Sequence, residues 1–285
     1  MFSSDGVTGA KEKSELDIRS PKMPFLDRSP TISLYYEVHG PPTSTPLLLT
    51  HGYSSTSAMW QPQIASFSQH YRLILWDMRG HGQTSYPSDS SAYSEEHTIA
   101  DMAALLDHIC GPQSQAIVGG LSLGGYMSLA FYRVFPERVM KLLIIDTGPG
   151  FKKDSAREAW NETAYKTAEG FEKNGLKQLS GLSPERSTVR HRDAKGLALA
   201  ARGMLTQRND AVITSLERVQ VPSLIVVGED DRPFLAAAEY MSRKIGGAKK
   251  VVVPRAGHAV NIDQPEVFNE AVLKFLKGSD ERARL

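Results

Sequence analysis

A single cysteine, Cys110, occurs in 285 residues. One thiol excludes an internal disulfide and a thiolate metal cluster. Cys110 closes the text "ADMAALLDHIC", which reads as the apolar end of a helix, so a buried structural thiol is expected there. A dominant charge is also missing: 33 basic residues face 32 acidic ones, for a formal net charge of +1. That balance gives no electrostatic reason to expect nucleic acid or an anionic membrane as a partner. No apolar run approaches the roughly 20 residues of a membrane span. The opening "MFSSDGVTGAKEKSELDIRS" lacks the apolar centre of a secretory signal, so residues 1–22 are expected to be a flexible tail and the cytosol the compartment. There is no H-E-x-x-H, no clustered ligand spacing and no phosphate-type glycine loop. Neither a metal nor a cofactor is therefore expected.

What is present is the text of an α/β protein. The hydrophobic fraction of 41% is ordinary for a globular chain. Short apolar runs without alternation recur at "PLLLT" (46–50), "YRLILWD" (71–77), "QAIVGG" (115–120), "KLLIIDT" (141–147), "SLIVVG" (223–228) and "KKVVVP" (249–254). Such runs suit parallel strands buried on both faces. Helical patterns lie between most of them. In "SEEHTIADMAALLDHIC", Ile99, Met102, Leu106 and Ile109 recur at helical spacing behind a possible N-cap at Ser94. In "DQPEVFNEAVLKFL", Asp263 reads as N-cap, Pro265 sits just inside the start and Glu266 closes a capping box. "PTISLYYEVHG" reads as an antiparallel edge strand. The alternation predicts a doubly wound, mostly parallel α/β sheet. Residues 151–218 contain only charged helical text, which predicts a helical cap inserted into a core formed by 23–150 and 219–285.

The chemistry concentrates in "GGLSLGG", residues 119–125. Gly120-Leu121-Ser122-Leu123-Gly124 is a G-x-S-x-G pattern between a strand and a helix. On so tight a turn a serine is held in a strained conformation, and the residues two places either side must lack side chains. The hydroxyl is then exposed beside a helix N-terminus, which favours developing negative charge. A serine hydroxyl is a weak nucleophile and needs a base, which in turn needs an orienting acid. His258, in a loop after the last apolar run, is the candidate base. Asp231, in "GEDDRPF", is the candidate acid, and Asp146, at the end of another strand, is its rival. Backbone N–H groups of Leu123 and Tyr53 are the candidate oxyanion donors.

Together "LLLTHGYSSTSAMW", "WDMRGHGQTS", "GGLSLGGYMSLAF", "GEDDRPF" and "AGHAVNIDQPE" resemble the α/β-hydrolase superfamily, in its capped, esterase-like branch. The resemblance runs from about residue 31 to 277. It implies Ser122 as nucleophile, His258 as base and Asp231 as acid, and a serine hydrolase that cleaves a small to medium carboxylic ester or lactone. Carbon–carbon bond hydrolases and perhydrolases share this triad, and some members of the fold are non-catalytic small-molecule receptors. Leu121 stands where many family lipases have His and where the carbon–carbon hydrolases typically have Asn. In "DMRGHGQTS" the usual serine is shifted one place, to Ser85, and this loop is read as structural. His51 and His81 are expected to organise loops, and His191, beside Arg192 and Asp193, to lie on a solvated face. For Trp160, Leu197, Leu199 and Met204 the expected role is helix–helix core. Homodimerisation is left open.

Overall fold

The computed structural model describes residues 24–278, so the tail expected at 1–22 lies outside the described residues. Eight strands form one sheet: β1 Phe25–Ser29, β2 Ile32–His39, β3 Pro46–Thr50, β4 Arg72–Trp76, β5 Ala116–Leu121, β6 Val139–Ile145, β7 Ser223–Gly228 and β8 Lys249–Val253. Their order across the sheet is β1-β2-β4-β3-β5-β6-β7-β8. β1 and β2 pair antiparallel, β2 joins β4 antiparallel, and every later pairing is parallel.

All six apolar runs are strands, and for the central five the reason for their unbroken character is visible in the packing. On one face Val118, Leu142, Ile144 and Ile225 join a core cluster with Met102, Leu106, Met127 and Phe131. On the other face Ile117, Leu143, Ile145 and Leu224 meet Trp60, Phe67, Phe268, Val272 and Leu276. With both faces covered, no position along a strand has to be polar. Lys141 is charged all the same, and its amine donates to the Leu276 carbonyl at 2.7 Å, near the end of the last helix.

Helices flank the sheet. α1 Gln61–Phe67, α2 Glu95–Cys110 and α3 Leu123–Val134 precede β6, and α8 Arg232–Lys244, α9 Val260–Asp263 and α10 Pro265–Gly278 follow β7. Between β6 and β7 the chain makes only helical turns, chiefly α4 Asp154–Asn174, α5 Pro184–Ser187, α6 Ala194–Ala200, a π-helical turn at Ala201–Leu205 and α7 Ala211–Ser215. Ser94 caps α2 as expected, its hydroxyl accepting from the His97 N–H at 3.1 Å. Among the described residues no helix is long and apolar enough to cross a membrane.

Three expectations are corrected. "PTISLYYEVHG" is not the edge of the sheet: β1, whose text "FLDRS" is too short and charged to read as a strand, covers it. β8 is the opposite edge, with Lys249, Lys250 and Val252 exposed, so it is not buried on both faces. Lysines on such an edge discourage pairing with another chain. Asp263 does not cap α10. It belongs to α9, and its carboxylate accepts from the Gly257 N–H at 2.8 Å.

A buried ion pair ties the β4 loop to α2. Arg79 Nε and Nη2 donate to Asp101 at 2.7 and 2.8 Å, and Arg28 adds a third bond to the same carboxylate at 3.0 Å. Removing one partner of such a pair strands a buried charge and costs about 3–5 kcal/mol. Asp101→Ala is therefore expected to lower the urea unfolding free energy by about 3 kcal/mol or more. A loss within the range of an ordinary surface substitution would refute this account.

Candidate active site

β5 delivers the chain to Ser122, and α3 begins at the next residue. Ser122 has φ 56° and ψ −118°, a left-handed conformation that costs a non-glycine residue of order 1–3 kcal/mol. Three bonds hold it there: its N–H donates to the Ile145 carbonyl at 2.9 Å, and its carbonyl accepts from the Tyr126 N–H at 3.0 Å and the Thr147 hydroxyl at 2.7 Å. The glycines either side are required by closeness. A Cβ at Gly124 would lie 2.1 Å from the Thr50 carbonyl oxygen, and one at Gly120 would lie 2.5 Å from both that oxygen and the Gly124 carbonyl carbon. The Ser122 hydroxyl makes no capping bond to α3. Leu123, first residue of the helix, has no preceding turn to receive its N–H.

The other candidate residues sit at the same carboxyl edge of the sheet, where open α/β sheets bind ligands. Asp231 follows β7 and is 6% exposed. Its Oδ2 lies 2.8 Å from His258 Nδ1. The imidazole stacks on Phe234 of α8, with ring centroids 5.1 Å apart, and its loop is braced by the Gly257–Asp263 bond. No hydrogen bond joins Ser122 to His258 among the described residues. The adjacent Asp230 is exposed and is not bonded to His258; its backbone N–H donates to the Ala256 carbonyl at 2.8 Å.

Asp146 makes no hydrogen bond to His258. Its carboxyl accepts from the Gly228 N–H at 2.8 Å and the Val260 N–H at 3.3 Å, and touches the Asp231 carboxylate. Burial, and then the neighbouring Asp231 charge, hold this carboxyl well above the usual carboxylate range. Asp146 is thus a buried strut between the end of β7 and the histidine loop.

Three histidines pack against one another behind the loops that follow β3 and β4. His51 Nε2 accepts from the Met78 N–H at 3.0 Å while Nδ1 lies 2.7 Å from the Gly52 carbonyl. His81 Nε2 accepts from the Ser54 N–H at 3.1 Å while Nδ1 lies 3.0 Å from the Arg79 carbonyl. His191 Nδ1 accepts from the Gly82 N–H at 3.1 Å while Nε2 lies 3.1 Å from the Ser54 carbonyl. Each ring faces one donor and one acceptor, a pattern that only the neutral tautomer satisfies. Desolvation accordingly pushes His51 down to about 3 and His191 down to about 4, and lowers His81 strongly. His51 and His81 are loop organisers, as expected. His191 is not on a solvated face, a correction that arises because the helical segment folds back over Gly82. Ser85 plays its structural part by accepting from the Ser33 N–H at 2.8 Å.

Beside Ser122 opens a cavity of about 240 Å³ walled by Leu123, Phe151, Trp160, Met204 and Phe234 among others. Trp160 therefore lines the cavity rather than a helix–helix core, while Met204 belongs to the core cluster and lines the cavity too. Leu197, fully buried, belongs to the core, and Leu199 packs against it. No Asp, Glu, Lys, Arg or His lines the cavity among the described residues.

The sequence profile of the alpha/beta hydrolase family matches residues 47–271, and the chain belongs to that family. It is similar to carboxylesterase YbfK of Bacillus subtilis, at 29% identity over 84% of this chain and 82% of that protein. It is similar to 3-oxoadipate enol-lactonase 2 of Acinetobacter baylyi, at 28% identity over 86% of this chain and 94% of that protein. The solved structure of a thermophilic esterase from Thermogutta terrifontis matches with a TM-score of 0.74 and 27% identity, covering 87% of this chain and 94% of that one.

The neutral histidines make stability depend on pH in a defined direction. Their folded pKa values lie below the ordinary imidazole value of about 6.5, so unfolding takes up protons below that pH. Their contribution is complete above about pH 6.5 and is lost as pH falls towards the folded values of about 4 for His191 and about 3 for His51. Urea unfolding of His191→Gln across that window is expected to show a slope shallower than the wild type's by roughly 1.4 kcal/mol per pH unit. An unchanged slope would show that His191 is protonated in the folded protein.

Proposed function

We propose that the protein is a serine hydrolase that cleaves a small carboxylic ester or lactone through an acyl-enzyme. The observation that carries this reading is a serine in a strained, left-handed turn, with its hydroxyl unspent, in the wall of an apolar cavity. The His258–Asp231 bond and the similarity to proteins named carboxylesterase and enol-lactonase support it.

In this mechanism the Ser122 hydroxyl gives its proton to His258 Nε2 as its oxygen attacks the substrate carbonyl. Asp231 fixes the tautomer through Nδ1–H and stabilises the imidazolium that forms. The oxyanion takes hydrogen bonds from the backbone N–H groups of Leu123 and Tyr53. Collapse expels the alcohol, which takes the proton from His258. Water, deprotonated by the same imidazole, then attacks the acyl carbon, and the acid leaves with Ser122 restored. The cap, residues 151–218, roofs the cavity through Trp160 and Met204. At about 240 Å³ the cavity lies below the roughly 300–1,000 Å³ common for ligand sites, which favours a compact substrate. The single cysteine supports a cytosolic setting.

A fluorophosphonate probe is expected to label Ser122, located by peptide mass spectrometry, and Ser122→Ala is expected to lower kcat for 4-nitrophenyl butyrate by about 10⁴-fold or more. Labelling at another residue, or turnover that survives the substitution, would overturn the assignment. Binding of the ester without product would instead identify a receptor.

A further inference from the structure

The cavity wall contains five polar side chains, and three are already committed within the protein. The Tyr126 hydroxyl donates to Glu95 at 3.0 Å, the Thr147 hydroxyl to the Ser122 carbonyl, and Trp160 Nε1 to the Leu205 carbonyl at 2.8 Å. The two that remain are Ser122 and Gln207. Gln207 Oε1 is buried and has no hydrogen-bond partner among the described residues. An unsatisfied acceptor in apolar surroundings carries a desolvation cost that a ligand donor removes.

The local structure holds the backbone of Gln207 in place. Asn161 clamps the Gln207 backbone from both sides: its Nδ2 donates to the Gln207 carbonyl at 2.9 Å and its Oδ1 accepts from the Gln207 N–H at 2.8 Å. The neighbouring Trp160–Leu205 bond fixes the same segment to α4. Across from it, Gly150 has φ +90°, and a Cβ there would lie 2.8 Å from Gln207 Oε1. Consecutive residues of α4 thus spend their polar atoms on fixing the segment that sets Gln207 in the cavity wall, and a glycine leaves room for its carboxamide oxygen.

We propose that Gln207 is a specificity-determining residue whose carbonyl oxygen accepts a hydrogen bond from an uncharged hydroxyl or amide N–H on the substrate. This rests on the reading of Ser122 as the nucleophile of an ester hydrolase. The substrate class is then a compact neutral ester with two polar points, a carbonyl at Ser122 and a donor at Gln207, joined by hydrocarbon that meets Trp160, Met204 and Phe234. Substrates bearing a carboxylate are disfavoured, since among the described residues no cationic side chain lines the wall to replace their hydration.

The test is a series of short and medium esters in matched pairs, with either a hydroxyl or a methyl group at the end of the acyl chain or of the alcohol, together with monomethyl dicarboxylates. At one chain length the hydroxyl ester is expected to exceed its methyl counterpart in kcat/KM by about tenfold or more, and the dicarboxylate to fall below both. Gln207→Met, close in volume but without the acceptor, is expected to level the pair. The same pairs titrated into Ser122→Ala by tryptophan fluorescence give dissociation constants that need no turnover. A preference in binding without hydrolysis by the wild type would keep this proposal and overturn the ester-hydrolase reading. Hydrolysis with no hydroxyl preference at any length, or a preference that survives Gln207→Met, would overturn this proposal and keep that reading.

Discussion

The start of α3 rides directly over the end of β3, and the rest of the site is arranged around that closeness. At Gly124 the space for a methyl group is occupied by the Thr50 carbonyl oxygen. Because the helix enters there, Ser122 is forced into its left-handed turn and its side chain leaves the sheet at the carboxyl edge. The same approach brings the loop after Thr50 alongside: a Cβ on Gly52 would stand 3.4 Å from that of Ser122. Backbone crowding, rather than any side-chain interaction, thus sets the positions of the serine and of the loop that carries Tyr53. A strain of this size persists only when the surroundings over-determine it. Here the two sheet-face clusters and the bonds from Ile145 and Thr147 do so.

A crowded, buried loop leaves backbone groups that cannot reach water, and each needs a partner. His51, His81 and His191 supply several of them, each ring serving one N–H and one carbonyl. The ring centroids lie 5.0 Å apart between His51 and His81 and 5.8 Å apart between His81 and His191, so the histidines form a continuous neutral chain from β3 to the helical segment. On the far side Asp146 does comparable work with a carboxyl, accepting from Gly228 and Val260. The three imidazoles would be poor bases near neutral pH, and that is consistent with scaffolding: a proton gained would break the contacts they make.

What the sequence made legible follows the range of the forces involved. The parallel strands were readable because burial on both faces leaves continuous apolar text. The serine turn was readable because its glycines are separated from it by single residues and are required by sterics within one turn. Ser94 as a cap was readable for the same reason, its bond spanning three residues. Most of the misreadings depend on distant partners. The exposure of β8 and the covering of β2 by β1 depend on order across the sheet, which local pattern does not encode. Asp263 is the expected cap residue by local grammar, but α9 absorbs it and the Gly257 N–H claims its carboxylate. His191 sits in charged text that reads as surface, until residue 191 meets Gly82 and Ser54, more than a hundred positions earlier.

The same distinction explains why fold and substrate are so unequally readable. Trp160 and Asn161 lie in a helix whose exposed text is dominated by charge, and their neighbours give no sign of a cavity. Their importance arises when residues 205–207 return beneath α4 and need partners for Leu205 and Gln207. Once that happens, Trp160 joins the cavity wall while its N–H is spent on the backbone, and Asn161 is consumed entirely as a clamp. The motifs around Ser122 describe a reaction common to many chains, because the geometry of attack on a carbonyl is the same in each. The clamp on Gln207 is a private arrangement between α4 and the segment after the π-helical turn, 46 residues apart in sequence. Discrimination between substrates comes from such contacts, since a buried acceptor rejects what cannot bond to it more sharply than an apolar wall rejects an extra methylene.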